Sequence, residues 1–470
     1  MLFKQYRHGL TIAFISGLVG LVNISPSAAS TQFAQSTSPE FAYRWHRAML
    51  EADLPKNFAD RLAKPTFKSN SGVWRLPMFS RARLRESIIA IALGLVGFAN
   101  IAPVMACTKL TYLDANGNAY HGRTMELGGD LPWLLTYFPA GQTFESDVDG
   151  VPPLTYTAQY AMFAVTIPNR APTDTSPLTA NELKVVEGIN EQGLSISILA
   201  YPSAAGTQRQ LDVTQSLLSV NDMGSWALGQ FQTVEEVKAA LADQAVVFTP
   251  AAAIGGAEAP VHFVLNDRTG ATIVVEFHEG EMVIYDNPVG VMTNGPQFDW
   301  HLTNLNNYTH LSNVDQSTGT FGTLPVNQPD SGIATASLPS SNTSVGRFVR
   351  AVYYAQFAEK ASDPDGAILT LARVMNNFDR PKDITYDPPG SGGGEGDALA
   401  MGDTEYTPWT ILADLSQARV FLRTYYGLNY TMFDLSQLAD TDELKVMPIS
   451  AIDGLGSDGT SALLSVDMPQ

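Results

Sequence analysis

An apolar segment at residues 88–99 ends close to Cys107, the only cysteine of the 470-residue chain. Three arginines precede this segment, and the small residues of Pro103–Ala106 follow it. A basic region, an apolar region and a small-residue cleavage site in this order are typical of a secretory signal. Cleavage after Ala106 would make Cys107 the first residue of a 364-residue mature part, which is long enough for one large core.

The residues before Cys107 have the composition of export material. A second signal-like segment lies at 10–22, and an irregular polar linker covers 30–77. Both apolar segments are too short for convincing membrane spans. We therefore expect residues 1–106 to be a leader, removed by signal peptidase or non-globular, and residues 107–470 to form a single domain. The expected location is a Gram-negative-type periplasm, and the alternative is a membrane tether through an uncleaved leader.

The mature part is strongly acidic, with 16 Lys/Arg, 42 Asp/Glu and a net charge of about −26. Such a field repels nucleic acid and anionic lipid, so nucleic acid is excluded as a partner. A single cysteine forms no disulfide within the chain, which favours a thiol kept for chemistry. The glycine-rich run at 390–396 lacks the Lys-Ser/Thr of a phosphate loop, and we expect neither a cofactor nor a metal site.

The hydrophobic patterns indicate strands, helices and strands again, which is typical of a layered α+β domain. The turn at Asp114–Asn118 joins the first two strands, and a capping box at Thr233–Glu236 opens a helix. Four strands within Val261–Thr293 are expected to form one antiparallel meander. Strands are predicted at 107–113, 120–127, 160–167, 194–199, 409–414, 419–424 and 430–434, and helices at 211–218, 223–231, 233–242, 347–358 and 367–378.

Cys107 is the strongest candidate for a nucleophile. A thiol needs a base, and the mature histidines (121, 262, 278, 301 and 310) show no Cys-His signature. An N-terminal cysteine has its own base, because its α-amine has an ordinary pKa of about 7.7 to 8.0. Two alternatives stay open: a buried cysteine kept for packing, and an acylated lipoprotein cysteine, since Val104–Cys107 loosely resembles a lipobox.

Five short motifs, in order, resemble those of the choloylglycine hydrolase family, which contains conjugated bile salt hydrolases and penicillin V acylases. They are Cys107–Thr108, Gly122–Glu126, Gly188–Leu194, Met292–Asp299 and Ser344–Ala351. Weaker similarity continues through 407–434. The resemblance implies a four-layer αββα N-terminal nucleophile hydrolase sandwich, with two mostly antiparallel sheets flanked by helices. It also implies hydrolysis of the linear amide bond of N-acyl substrates through a thioester acyl-enzyme.

The resemblance further implies a role for each matching residue. Cys107 would be the nucleophile, and Arg123 would lie beside its thiol and favour the ionised form. The Asn294 side chain and the backbone N–H of Ala200 would donate to the developing oxyanion. Arg347 would be a second active-site arginine.

Two residues depart from the family pattern. Glu126 stands where familiar members carry an aspartate that binds the α-amine, and Ala200 replaces an asparagine or an aromatic residue. A lipid-anchored, catalytically weak binding protein on the same fold is therefore the alternative function. Penicillin V, acyl homoserine lactones and bile salts are the expected substrate types, and a neutral substrate fits the net charge best. Because relatives are often tetramers, a homo-oligomer is expected.

Overall fold

A computed structural model describes residues 106–128, 131–173, 176–202, 204, 214–386 and 404–466, and the short strands Lys68–Ser69 and Gly72–Val73. The chain divides into two units, Met1–Ala99 and Asn100–Gln470. In the first unit, the described residues form one antiparallel pair of strands. The signal-like segments at 10–22 and 88–99 and residues 103–105 lie outside the described residues.

The described part of the second unit contains two large sheets. Their strands are β1 (Ala106–Leu113), β2 (Ala119–Gly128), β3 (Leu134–Phe138), β4 (Met162–Pro168), β5 (Leu183–Asn190), β6 (Ser195–Ala200), β7 (Val261–Asn266), β8 (Thr272–His278), β9 (Glu281–Asp286), β10 (Val291–Met292), β11 (Glu405–Asp414), β12 (Arg419–Thr424), β13 (Thr431–Asp434) and β14 (Lys445–Pro448). The helices are α1 (Met223–Gln230), α2 (Val234–Leu241), α3 (Phe298–Asn304), α4 (Ser344–Phe357), α5 (Pro364–Met375), α6 (Leu435–Leu438) and α7 (Thr460–Leu464).

Both sheets are antiparallel throughout. The six-stranded sheet has the order β10-β1-β2-β11-β12-β13, and the eight-stranded sheet has the order β9-β8-β7-β6-β5-β4-β3-β14. Helices α4 and α5 pack on the six-stranded sheet, and α1 packs on the eight-stranded sheet. The two sheets face each other between these helices, with β6 against β1. This is the four-layer α+β sandwich that the sequence predicts.

The hairpin of β1 and β2 forms where the sequence predicts it. Asp114 Oδ1 accepts the backbone N–H groups of Asn116 and Asn118 at 2.8 and 2.9 Å, and Gly117 has a φ of +85°. A side-chain oxygen and a glycine that tolerates positive φ are what a tight turn needs. The hairpin pairs Cys107 with Met125 and Lys109 with Arg123. Because successive side chains leave opposite faces of a sheet, these four side chains share one face.

The predicted meander is wrong at its last strand. Strands β7, β8 and β9 pair in sequence, but β10 pairs with β1 in the other sheet. The side chain of Asn287 closes the intervening turn by accepting from the N–H groups of Val289 and Gly290 at 3.1 and 2.8 Å. The turn leads the chain across to the six-stranded sheet, and Asn294 lies two residues after the end of β10.

Two further expectations at the level of single elements are corrected. No strand is predicted between 160–167 and 194–199, but Leu183–Asn190 in this segment form the strand β5. The helix predicted at 211–218 is absent from its described part, 214–218, which is irregular and ends in a short strand at Leu218–Ser219. The capping box predicted at Thr233–Glu236 is confirmed, with Thr233 Oγ1 accepting from the Glu236 N–H at 3.2 Å.

None of the helices described in these ranges is long and apolar enough to cross a membrane. The described residues also contain no group of three or more His, Cys, Asp or Glu side chains that could hold a metal ion.

Candidate active site

Cys107 lies near the start of β1 with its side chain between the two sheets, where it is fully buried. Its backbone N–H donates to Asn294 Oδ1 at 2.9 Å. Burial raises the pKa of the thiol, and the Arg123 guanidinium opposes that shift most strongly. The thiol and the nitrogen that would become its α-amine therefore both have a polar partner in the folded chain.

Arg123 connects the thiol with the eight-stranded sheet. Its Nη2 lies 3.5 Å from Cys107 Sγ, and its Nη1 donates to Glu187 Oε2 at 3.0 Å. The carbonyl oxygens of Val186 and Ile198 accept further hydrogen bonds from the guanidinium at 3.1 and 2.5 Å. Three contacts to the eight-stranded sheet fix the cation beside the sulfur, where its charge opposes the rise in thiol pKa that burial causes.

Asn294 brings three predicted site residues together. Its Oδ1 accepts from the Cys107 N–H and, at 2.6 Å, from Arg347 Nη2. Its Nδ2 donates to the carbonyl oxygen of Ala200 at 2.7 Å. The side-chain amide of Asn294 and the backbone of Ala200 thus lie together near Cys107, with the Asn294 donor bound to the Ala200 carbonyl oxygen; their role as oxyanion donors stays a prediction.

Arg347 holds the backbone around Cys107 from the helix side of the sheet. Its Nη1 donates to the Cys107 carbonyl oxygen and, at 2.8 Å, to Thr108 Oγ1. Burial lowers the pKa of Arg347 to about 10, and the Glu126 carboxylate opposes this shift. The side chain remains a cation at neutral pH.

Glu126 pairs with Ala106 across β1 and β2, so it lies beside the peptide bond that precedes Cys107. It is fully buried, and neither carboxylate oxygen has a hydrogen-bond partner of normal geometry among the described residues. Burial raises its pKa to about 7, while Arg347, Arg380 and the nearby Thr124 hydroxyl act in the opposite direction. A carboxylate with this pKa changes its charge near neutral pH.

The sequence reasoning missed a buried polar layer behind Arg123. His121 Nε2 lies 2.9 Å from Glu187 Oε1, and the Lys109 ammonium donates to Asn266 Oδ1. Burial alone would raise the pKa of Glu187, but His121, Arg123 and Lys109 hold it below its ordinary value. The spacing of two between Cys107 and Lys109 on a strand was the available signal, because it places both on one face.

A second missed group supports the backbone at Asn294. His262 Nε2 lies 3.1 Å from the Thr293 carbonyl oxygen, and His301 Nε2 lies 2.9 Å from that of Asn294. The other ring nitrogen of His262 lies 3.0 Å from Glu276 Oε1. His262 thus makes structural contacts on both sides of its ring.

The family follows from comparison with known proteins. The family model described as linear amide C–N hydrolases, choloylglycine hydrolase family, matches residues 107–447. The chain belongs to this family. As a choloylglycine hydrolase family member, it is a hydrolase that acts on carbon–nitrogen bonds in linear amides.

Several curated proteins are similar to this choloylglycine hydrolase family member. A bile salt hydrolase/transferase from Lactiplantibacillus plantarum is 26% identical over 347 residues, which covers 73% of this chain and 97% of the relative. A conjugated bile acid hydrolase from Lactobacillus acidophilus is 31% identical over 248 residues, with 53% and 73% covered. A penicillin V acylase from Pectobacterium atrosepticum is 26% identical over 277 residues, with 58% and 65% covered.

Solved structures agree with the choloylglycine hydrolase fold. A conjugated bile acid hydrolase from Clostridium perfringens superposes with a TM-score of 0.61 at 22% identity, covering 75% of this chain and 98% of that one. A penicillin V acylase from Agrobacterium tumefaciens gives 0.59 at 22% identity, with 77% and 98% covered. At these identities the likeness shows the fold, which confirms the predicted N-terminal nucleophile hydrolase sandwich.

A cavity of about 700 Å³ adjoins the site of this choloylglycine hydrolase family member. Val186, Ile198 and Ala200 contribute to its lining, while Cys107 does not. The carbonyl oxygens of Val186 and Ile198 are those that hold Arg123, so the cavity reaches the shell around the thiol. Its outer part carries the exposed carboxylates Glu145, Asp147 and Asp149.

Proposed function

We propose that the chain is an exported amidase that is cut before Cys107 and uses this residue as its nucleophile. The observation that carries the proposal is the environment of one residue. The Cys107 nitrogen binds Asn294, its sulfur faces Arg123, and its carbonyl oxygen binds Arg347. A packing cysteine needs none of these contacts, whereas an N-terminal nucleophile uses its thiol and its amine together.

The proposed reaction has two stages. The α-amine takes the thiol proton, and the thiolate attacks the carbonyl carbon of the N-acyl amide. The resulting oxyanion accepts hydrogen bonds from Asn294 Nδ2 and the Ala200 N–H. When the C–N bond breaks, the leaving amine takes the proton from the α-ammonium and a thioester remains on Cys107. Water then attacks the thioester, with the α-amine as base, and releases the carboxylic acid and the free thiol.

The acidic field of the chain supports a substrate that carries no anionic group near the cavity. The exposed carboxylates at the outer part of the cavity would repel an anionic group. A neutral acyl homoserine lactone therefore suits the site better than penicillin V or a glycine or taurine conjugate, each of which carries an anionic group. Export, processing by signal peptidase and assembly into a homotetramer remain predictions.

One experiment on the full chain tests the proposal. The exported product is subjected to intact-mass and N-terminal analysis, and amine release from penicillin V, an acyl homoserine lactone and glycocholate is measured. We expect a free N-terminal Cys107, and a loss of about 10³-fold or more in kcat/KM in Cys107→Ala. A diacylglyceryl group on the Cys107 sulfur, or no turnover of any of the three substrates, would reject the amidase in favour of the lipid-anchored binding protein. Wild-type turnover by Cys107→Ala would reject Cys107 as the nucleophile.

A further inference from the structure

A second buried arginine, Arg380, belongs to the surroundings of Glu126. It follows α5 and is tied to β11, because its N–H donates to Thr407 Oγ1 at 2.8 Å and its carbonyl oxygen accepts from the Thr407 N–H at 3.1 Å. Strand β11 pairs with β2, the strand that carries Glu126. The position of Arg380 is therefore set by the sheet and not by its own loop.

The guanidinium of Arg380 meets that of Arg347. Arg380 Nη2 and Arg347 Nε both donate to the carbonyl oxygen of Asn342, the latter at 3.0 Å. Arg380 Nη1 donates to Glu405 Oε2 on β11. Arg380 and Glu405 are only 3% and 7% exposed, so this ion pair lies in the interior.

Four charged or ionisable groups from four elements act on the Glu126 carboxylate. Arg347 on α4 and Arg380 after α5 favour its charged form, whereas Glu405 on β11 and the Cys107 thiolate on β1 disfavour it. A fully buried carboxylate without normal hydrogen bonds would be neutral if it stood alone. The two arginines are thus the charged groups that oppose its neutralisation, in the same direction as the Thr124 hydroxyl.

We propose that Arg380 is a positioning residue for the reaction: it keeps Glu126 ionised beside the Cys107 α-amine, and Glu405 fixes Arg380 in that place. This inference rests on the proposed function. It accounts for the glutamate at a position where the family resemblance implies an aspartate. The longer side chain is tolerated as a carboxylate because a second cation, held on β11 by Thr407 and Glu405, acts on it.

The test is the pH dependence of kcat/KM for the substrate that the wild type turns over. Removing the Arg380 charge raises the pKa of Glu126, so the acid limb of the profile moves to higher pH in Arg380→Gln, by about one unit. Activity returns at high pH. Removing the opposing charge in Glu405→Gln moves the limb to lower pH. Arg380→Lys keeps the cation and restores a limb near that of the wild type.

Breaking a buried pair leaves one charge without a partner, so the double variant Arg380→Gln/Glu405→Gln is measured as well. Arg380 influences Glu126 more strongly than Glu405 does, and the double variant is expected to move the limb to higher pH. Arg419→Gln is the matched control, because Arg419 pairs with Asp414 at the opposite end of β11. Its limb is expected to coincide with that of the wild type.

The outcomes separate the two proposals. An acid limb that stays in place in both the single and the double variants, or moves the same way in Arg380→Gln and Glu405→Gln, would overturn the role of Arg380. In that case an inactive Cys107→Ala variant would still support the proposed function. If Cys107→Ala retains wild-type turnover, the proposed function itself fails.

Discussion

Arg123 Nη2 lies 3.5 Å from Cys107 Sγ, although the two residues are sixteen positions apart in the chain. The hairpin register explains the contact, because Cys107 pairs with Met125, and Arg123, two residues before Met125, lies on the same face of the sheet. Diagonal neighbours on one face of a sheet are within reach of a long side chain. One turn and one register thus bring two residues sixteen positions apart into contact.

The first prediction concerns thiol ionisation. In Arg123→Gln the sulfur loses its nearest cation, so the pKa of the Cys107 thiol should rise by at least about one unit. The measurement is the pH dependence of alkylation by iodoacetamide in the form that begins with Cys107, and the single cysteine makes the signal unambiguous. Arg373→Gln, a change at an exposed position on α5, is the control. Equal alkylation midpoints in all three proteins would contradict the role of Arg123.

The second prediction concerns Asn294. Replacing it by alanine removes the proposed side-chain donor to the oxyanion, so kcat should fall about 10² to 10³-fold while KM changes little. Steady-state kinetics on the processed form check this. Asn306→Ala, which removes an exposed amide just after α3, should keep wild-type kinetics. A variant in which KM rises and kcat is unchanged would assign Asn294 to substrate binding instead.

The third prediction concerns stability and pH. Burial lowers the pKa of Lys109 to about 7 from an ordinary value near 10.5. Between these two pH values the unfolded chain binds more protons than the folded one, so this group makes the free energy of unfolding rise with pH. Lys109→Met should therefore show a smaller rise in the free energy of unfolding between about pH 7 and pH 10 than the wild type.

Urea unfolding at several pH values measures this effect. Lys238→Met is the control, because Lys238 pairs with Asp286 at 2.6 Å on the surface. The control should retain the wild-type slope. A Lys109→Met variant with the same slope would show that Lys109 is not a buried, titrating group.

The fourth prediction separates two glycines of positive φ. A Cβ on Gly193 would lie 2.1 Å from the Leu415 carbonyl oxygen, whereas one on Gly117 meets nothing within 4 Å. Gly117→Ala should cost about 1 to 2 kcal/mol through backbone strain alone. Gly193→Ala should cost at least about 2 kcal/mol more, because a backbone atom must move. Urea midpoints that differ little between the two variants would contradict the close approach.

The elements that sequence patterns predicted best are those with strong local signals. The hairpin of β1 and β2 combines alternation with an Asx turn, and α2 begins at a capping box. Strand β5 was missed because it follows a loop rich in Pro and Thr. Its sequence also contains a glycine, and its last four residues are all buried, so polar and apolar residues do not alternate clearly along it. Because Glu187 lies on β5, the counter-ion of Arg123 was missed together with this strand.

The site itself needed more than local patterns. Cys107 was visible from its position after the signal-like segment, and the family resemblance led to Asn294 and Arg347. Arg380 and Glu405 carry no local signal, since only the pairing of β11 with β2 brings them to Glu126. Long-range pairing of this kind is set by the packing of the whole domain and cannot be predicted from a short segment of sequence.

The central claim is a thioester on Cys107. The processed enzyme is mixed with a slowly hydrolysed N-acyl substrate, quenched in acid and analysed by intact mass and peptide mapping. We predict an added mass equal to the acyl group on the peptide that begins with Cys107, removable by hydroxylamine and absent in Cys107→Ala. Turnover without any acyl adduct on Cys107, undiminished in Cys107→Ala, would contradict the account.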